Sequence, residues 1–394
     1  MTTARDALGR EVAALIDRLG GGASDDGARD ALIDRVARYQ RERVEPYGRL
    51  CAQRDLARAA TLGATEGWPP ALPTDVFRYV RVASHDAARD VRVFRTSGTT
   101  AQADPARARG AHPFCDLALY DRAARAWARH LLFPDRERMA LVMLAPPERD
   151  TPDSSLSYML TRFEAWFERD ARRGSAWVVG EHGLDLDSLT AGLEAATRRG
   201  EPVALLGTSF AFVHALEGLR DRRFALPEGS RVMQTGGFKG RARAVAPDAM
   251  RRALTAAFGV PDPFIVAEYG MTELSSQLYE STLRDALFAA EVGPRRLLAP
   301  GWVRATPVDP ESLGPVEAGT PGILRIDDLA NLDSVCAVQT SDLARSVQAE
   351  GTGARAGVEV LGRAPDAVPR GCSIAADLAL GEHLRVATPP RRAS

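Results

Sequence analysis

Residues 202–219 read PVALLGTSFAFVHALEGL. Val203 to Leu206 make a short continuous apolar run, the pattern of a strand covered on both faces, and after the Gly207-Thr208-Ser209 turn the chain is apolar in the manner of a buried helix. The same succession recurs on both sides. Upstream lie VRVFRTSGTT, DLALYDRAARAWARHLLF, RMALVMLAPP, SAWVVG and LDSLTAGLEAATRRG, and downstream lie RVMQTGG, AMRRALTAAFGV and PFIVAEYG. Strands alternating with helices of roughly 10–15 residues imply βαβ units, so the fold class is α/β with largely parallel sheets. In such sheets the working loops lie at the carboxyl ends of strands. Four turns, TSGTT (96–100), GTSF (207–210), TGG (235–237) and YGMTE (269–273), each directly follow an apolar strand candidate and are expected to gather along one edge.

Outward from this region the pattern changes. Residues 1 to about 60 look helical: Val12, Leu15, Ile16 and Leu19 fall at helical spacing, and a second amphipathic stretch runs from about Ala28 to Arg43. After about residue 300 short β pieces dominate (GWVRATPV, GILRIDDLA, VCAVQTSDLARSV, GVEVLGR), and the chain closes on the polar tail TPPRRAS, expected to be disordered. The 394-residue chain is 45% hydrophobic and 26% charged with a net charge of -1. Without a basic excess, a nucleic-acid partner is not expected. No apolar run approaches the roughly 18 residues of a transmembrane helix, and the charged N-terminus is not a signal peptide, so the expected location is cytoplasmic. Cys51, Cys115, Cys336 and Cys372 lie far apart with no paired spacing, which excludes a zinc ribbon and argues against a disulfide scaffold. The first three are read as buried, inert thiols.

Several stretches could carry chemistry. Thr96–Thr100 combines hydroxyl side chains with a glycine after a strand, able to wrap a polyphosphate, although no Gly-Lys-Ser/Thr follows as in a Walker loop. In VAEYGMTELSS a tyrosine can stack on a base, Thr272 can bond a phosphate, and Glu273 offers hard oxygens to a magnesium ion; a plain strand end entering a helix reads the same way. Asp342, in VQTSDLARS, would close a short strand and could accept bonds from ribose hydroxyls or simply occupy a turn. In LGRAPDAVPRGCS, Arg363 precedes two prolines and a glycine, the composition of a stiff hinge. Cys372 stands near Arg370, a cation that lowers thiol pKa, leaving reactive and inert readings both open. His112 and His214 are isolated and read as structural. Lys239, in TGGFKG, is the only lysine among 51 basic residues. Lysine is a compact point charge where arginine is a planar fork, so its retention beside a glycine pair marks a place of tight anion geometry.

The order TSGTT, YGMTE, TSDLA, LGR resembles the adenylate-forming superfamily of acyl-CoA synthetases, luciferases and peptide-synthetase adenylation domains. LLGTSFAFVH, MQTGGFKG and RGCS are similar to the acyl-protein synthetase family, the fatty-acid-activating ligases of bacterial luminescence. The resemblance covers about residues 90–375. It implies a phosphate loop at Thr96, Ser97, Gly98, Thr99 and Thr100, and Gly236 and Gly237 lining the adenine and acyl site. It further implies Tyr269 and Gly270 flanking adenine, Thr272 and Glu273 serving phosphate and Mg²⁺, Asp342 on the ribose, Arg363 at the hinge and Cys372 as acyl acceptor. Two departures stand out: TSGTTA lacks the glycine that commonly follows, and Arg107 and Arg109 stand where relatives often have lysine. Only about 30 residues follow Arg363, too few for the mobile C-terminal domain of acyl-CoA synthetases with its late lysine. Lys239 is therefore the candidate for cationic help in catalysis.

The expected organisation is a helical N-terminal segment (1–90), an adenylate-forming core (91–360) and a truncated C-terminal lobe carrying the acceptor cysteine (361–394). The implied function is ATP-dependent activation of a carboxylic acid, by resemblance a fatty acid, to acyl-AMP, then transfer to Cys372 and on to an acyl reductase or other acceptor protein. Direct transfer to CoA, a carrier-protein thiol or an amine is the alternative within the enzyme class. A non-catalytic nucleotide-binding subunit of a reductase complex is the alternative outside it.

Overall fold

The computed structural model describes residues 3–59, 67–96, 109–169, 175–236, 246–348 and 355–364. In chain order the elements are α1 (Ala4–Leu19), α2 (Asp26–Arg41), α3 (Glu45–Ala59), β1 (Leu72–Pro73), β2 (Arg92–Arg95), β3 (Ala111–Phe114), α4 (Ala118–Leu131), β4 (Ala140–Leu144), α5 (Ser155–Phe167), β5 (Ala176–Trp177), β6 (Val179–Gly180), β7 (Gly183–Leu184), α6 (Leu186–Arg199) and β8 (Val203–Thr208). There follow α7 (Ser209–Leu219), β9 (Arg231–Thr235), α8 (Pro247–Phe258), β10 (Ile265–Tyr269), β11 (Leu278–Glu280), α9 (Thr282–Phe288), β12 (Leu297–Leu298), β13 (Val303–Val308), β14 (Gly322–Asp328), β15 (Ala337–Val347) and β16 (Gly357–Arg363).

The apolar runs that opened the sequence reading become the centre of the molecule. A twelve-stranded sheet runs in the order β13-β14-β15-β16-β12-β11-β10-β9-β8-β4-β5, with β1 beside β15. From β10 to β5 the pairing is parallel. From β10 to β13 it is antiparallel, the β-rich stretch after residue 300 having no crossover helices to force parallel pairing.

Every residue of β8 and β9 is buried, as a strand covered on both faces requires. Alternate residues serve two hydrophobic clusters. Leu141, Met143, Ala204, Leu206, Met233 and Val266 point to one side, and Val142, Leu144, Val203, Leu205, Val232 and Ile265 to the other. The second side is closed by α6, α7 and α8 through Leu193, Phe212 and Leu254, and the first by α4 and α5 through Trp127 and Phe163. Each fully buried Val, Leu or Met contributes roughly 1.5–3 kcal/mol.

The N-terminal helices share that first cluster: Leu8, Val12, Leu15, Ile16 and Leu19 of α1 and Leu32, Ile33 and Val36 of α2 are all buried in it. A capping box between Thr3 and Asp6 starts α1. Gln40, fully buried at the end of α2, donates to Asn331 O (2.8 Å) and Leu332 O (3.2 Å) and accepts from Cys336 N (2.8 Å). One side chain thus ties the helical segment to the turn between β14 and β15.

One expectation changes. The strand before TSGTT, β2, pairs only with β3 in a separate antiparallel hairpin and is not part of the parallel sheet. Its Val93-Phe94 pair is flanked by Arg92 and Arg95 and only Phe94 is buried, whereas every residue of the central parallel strands β8 and β9 is buried. No helix among the described residues is long and apolar enough to cross a membrane.

Candidate functional site

Parallel register brings three of the four turns to one edge. Thr208 at the end of β8 pairs with Thr235 at the end of β9, and Thr235 pairs with Glu268, one residue before the end of β10. Thr208 caps α7 by accepting from Ala211 N at 3.0 Å, so the strand passes into its helix without a loop. Ser209 Oγ then donates to Gly236 O at 2.7 Å, binding the GTSF turn to the TGG turn. Gly236 has φ +74°, a left-handed conformation natural to glycine. At Gly270 a Cβ would lie 2.5 Å from the Glu268 carboxylate oxygen, so any other residue would have to displace that buried side chain. Between them Thr235 Oγ1 donates to Glu268 Oε2. Burial pushes the Glu268 carboxyl up to about 7, although the Thr235 bond pulls the other way.

Tyr269, Asp342 and Arg363 meet at a second point on this edge. The Tyr269 hydroxyl donates to Asp342 Oδ2 at 2.8 Å, and Arg363 Nε lies 3.7 Å from Asp342 Oδ1. Burial, reinforced by Asp342, holds the Tyr269 phenol well above its usual pKa, so it remains a donor. Asp342 does not close a strand, as its turn-like sequence suggested. It lies within the eleven-residue β15, opposite Arg363 of β16 and beside a register shift at Leu343/Ala344. The bulge re-aims a polar pair inside an otherwise regular ladder. Arg363 correspondingly ends a paired strand.

Thr272 and Glu273 are buried, 2% and 3% exposed, in a turn clamped from three directions. His112 Nδ1 donates to Thr272 O at 2.7 Å; this fixes the tautomer, leaving Nε2 to accept from Ser334 Oγ at 2.9 Å. Burial lowers the His112 pKa to about 4, so the ring is neutral. Asn331 Nδ2 donates to Glu273 O at 2.8 Å, and its Oδ1 accepts from Ser275 Oγ at 2.6 Å. Asp328 Oδ2 accepts from Ser275 N (2.9 Å) and Ser276 N (2.8 Å), while Ser276 Oγ donates to Oδ1 at 2.7 Å. Of these positioning residues, His112 reads in the sequence only as an isolated histidine, and Asn331 and Asp328 are not singled out there. The dense run DDLANLDS after a strand was the available signal.

Thr96 is buried, pairs through its backbone with Gly110, and accepts at Oγ1 from Gly110 N at 2.7 Å. Arg109 is committed to the base of this loop, donating to Thr96 O and to Asp153 Oδ2, each at 2.6 Å. His112, on β3, pairs with Phe94 two residues before Thr96, which carries the hairpin to the Thr272 turn. Ser97, Gly98, Thr99, Thr100, Gly237, Lys239 and Cys372 lie outside the described residues. Cys51 and Cys336 are buried as expected; Cys115 is half-exposed, because it follows the end of β3 rather than sitting within a core element. His214 stacks edge-on against Phe210 beside Glu217, in keeping with a structural role.

The α/β fold that carries these turns is that of the adenylate-forming ligases. 2-Hydroxyisobutyryl-CoA ligase in an open conformation superposes with a TM-score of 0.59 at 13% identity, covering 86% of this chain and 70% of that one. Its postadenylation state gives 0.58 at 14% identity, over 86% and 67%. The chain belongs to the acyl-protein synthetase family, LuxE, which matches residues 28–381. A long-chain-fatty-acid–luciferin-component ligase of Vibrio harveyi is 21% identical over 242 residues, 60% of this chain and 59% of that protein. The match thus spans less than two thirds of that relative.

Proposed function

We propose that the protein activates a carboxylic acid, a long-chain fatty acid by analogy with the Vibrio harveyi relative, at the expense of ATP. One observation carries this reading: Asp342, which accepts from the Tyr269 hydroxyl and pairs with Arg363 at 3.7 Å, sits beside three strand-end turns held in register. A substrate carboxylate oxygen attacks the α-phosphorus of ATP, the bond to the β-phosphate oxygen breaks, and pyrophosphate leaves with the acyl-AMP formed. Asp342 accepts from the ribose hydroxyls, Tyr269 and Gly270 flank the adenine, and Gly236 and Gly237 line the adenine and acyl site. Thr96, Ser97, Gly98, Thr99 and Thr100 surround the phosphates, with Thr272 beside them. Fixed donors of this kind stabilise charge as it develops on the transferred phosphate.

The hard carboxylate oxygens of Glu273 fit Mg²⁺, which would neutralise phosphate charge when bound. Lys239 supplies a further compact cation. The Cys372 thiolate then attacks the acyl carbon, AMP departs, and a thioester remains for transfer to an acyl reductase or another acceptor protein. Arg363 marks the hinge that would bring Cys372 to the edge.

Acid-dependent release of pyrophosphate from ATP tests the first half. Asp342→Asn is expected to raise the KM for ATP by roughly tenfold or more, the cost of about 1.5–3 kcal/mol for a lost charged hydrogen bond. Absence of acid-dependent pyrophosphate release across fatty, short-chain and aromatic acids contradicts the reading.

A further inference from the structure

A second polar cluster lies apart from the nucleotide edge. A ring nitrogen of His85, Sγ of Cys115 and a carboxylate oxygen of Asp333 lie within 4.8 Å of one another. They come from three segments: the 81–90 stretch, the residue after β3, and the turn between β14 and β15. We infer that these three side chains form a site for a thiophilic divalent cation of the Zn²⁺ class.

The His85 side chain is 2% exposed, and its Nε2 is 2.9 Å from Asp90 Oδ1. Asp90 is itself gripped by Arg81 at 2.8 and 2.6 Å, so the carboxylate accepts and Nε2 carries the proton. That leaves Nδ1 as a buried lone pair, and it has no hydrogen-bond partner. A buried acceptor in that state is costly unless something occupies it. The arrangement of carboxylate, imidazole and bare nitrogen is how proteins orient histidine toward a metal. Nitrogen, thiolate and carboxylate together make a Zn²⁺ donor set, with the fourth tetrahedral position open to water.

Arg5 opposes a cation here and has to be weighed. It donates to both oxygens of Asp333, at 2.9 and 2.8 Å, and the Cys115 thiol donates to the same carboxylate, so an ion here would take the place of the Cys115 proton. Burial and Asp333 push the Cys115 pKa up to about 11, so an ion binds by displacing the thiol proton; the resulting thiolate, Asp333 and Arg5 sum to one negative charge, with Arg81 balancing Asp90. Cys115 is half-exposed, which gives the ion a route in. Asp333 adjoins Ser334, whose hydroxyl bonds His112 and through it Thr272, so an ion here would stiffen the clamp on the candidate site from behind.

The test uses the full chain stripped of metal and titrated with Zn²⁺ against a chromophoric chelator. Tight binding of about one equivalent is expected, weakened at least about tenfold in Cys115→Ser and in His85→Gln, roughly 10–100-fold in Asp90→Asn, and unchanged in Cys372→Ser. Because a substituted site may not fold, Zn²⁺ is also added to the wild-type protein during iodoacetamide labelling, where it is expected to slow modification of Cys115 by at least about tenfold. Zn²⁺ that neither binds stoichiometrically nor protects Cys115 overturns the assignment. So does binding that survives intact in a folded Cys115→Ser variant.

Discussion

Glu268 is a carboxylate whose burial sets the sign of a pH effect. Its carboxyl, buried beside Thr235, titrates near 7, whereas in the unfolded chain it would titrate near 4.5. Between those values the native state holds a proton that the unfolded state has released, so this residue's contribution to stability falls as pH rises from about 4.5 to 7 and is flat above. Glu268→Gln is therefore expected to gain up to about 3 kcal/mol relative to wild type at pH 8 and little at pH 4.5, measured by urea unfolding at both. His112 has the opposite sign. Its folded pKa is depressed from 6.5 to about 4, so the unfolded chain binds the proton first, and stability drops as pH falls from about 6.5 toward 4. Glu268→Gln, lacking the opposing carboxyl, should show a steeper acid loss across that interval. Neither shift was legible in the sequence. Glu268 reads there as the polar member of an apolar strand, and His112 as one isolated histidine; burial by distant residues makes them unusual.

At the scale of elements, the strand-to-helix turns were legible because parallel strands advertise themselves. VALLGT and RVMQT carry apolar residues on both faces, and their polar ends can only be edges. The pairing that holds the YGMTE turn was not legible, because it is non-local. His112 is 160 residues from Thr272, and Asn331 is 58 from Glu273. Asp328→Asn should leave the core intact yet cost about 1–3 kcal/mol and reduce kcat more than it raises the KM for ATP, by loosening Thr272 and Glu273. Unchanged kinetics with lowered stability would make Asp328 merely structural. Asp342 reads in the sequence as a residue closing a short strand, whereas it lies within β15 opposite Arg363 and accepts from the Tyr269 hydroxyl, beside an extra residue of β16, Leu361, that composition does not reveal. Gln40→Leu removes three buried bonds between α2 and the 331–336 turn, and is expected to lower stability by roughly 2–4 kcal/mol in urea unfolding.

Across the whole molecule, one hydrophobic cluster runs from Leu8 to Val358, joining the N-terminal helices to both halves of the great sheet. Trp127 and Trp302 meet edge to face within it at 6.0 Å, and Trp302 Nε1 donates to Ser276 Oγ, linking the core to the candidate site. Ile16→Ala should therefore lower one shared transition by about 2–4 kcal/mol, with tryptophan fluorescence and far-UV circular dichroism moving together. Arginine replaces lysine almost everywhere in this frame, and several of its arginines act as forks: Arg231 on Asp135, Arg325 on Asp327, Arg5 on Asp333. The central proposal is that the acyl group, once activated, rests on Cys372. Its most direct measurement is intact-protein mass after incubation with ATP, Mg²⁺ and a panel of carboxylic acids, for wild type and Cys372→Ala, followed by hydroxylamine. An ATP-dependent, hydroxylamine-labile acyl adduct is expected in wild type and absent from the variant, with pyrophosphate released by both. Pyrophosphate release without an adduct, or an adduct that persists in Cys372→Ala, would contradict it.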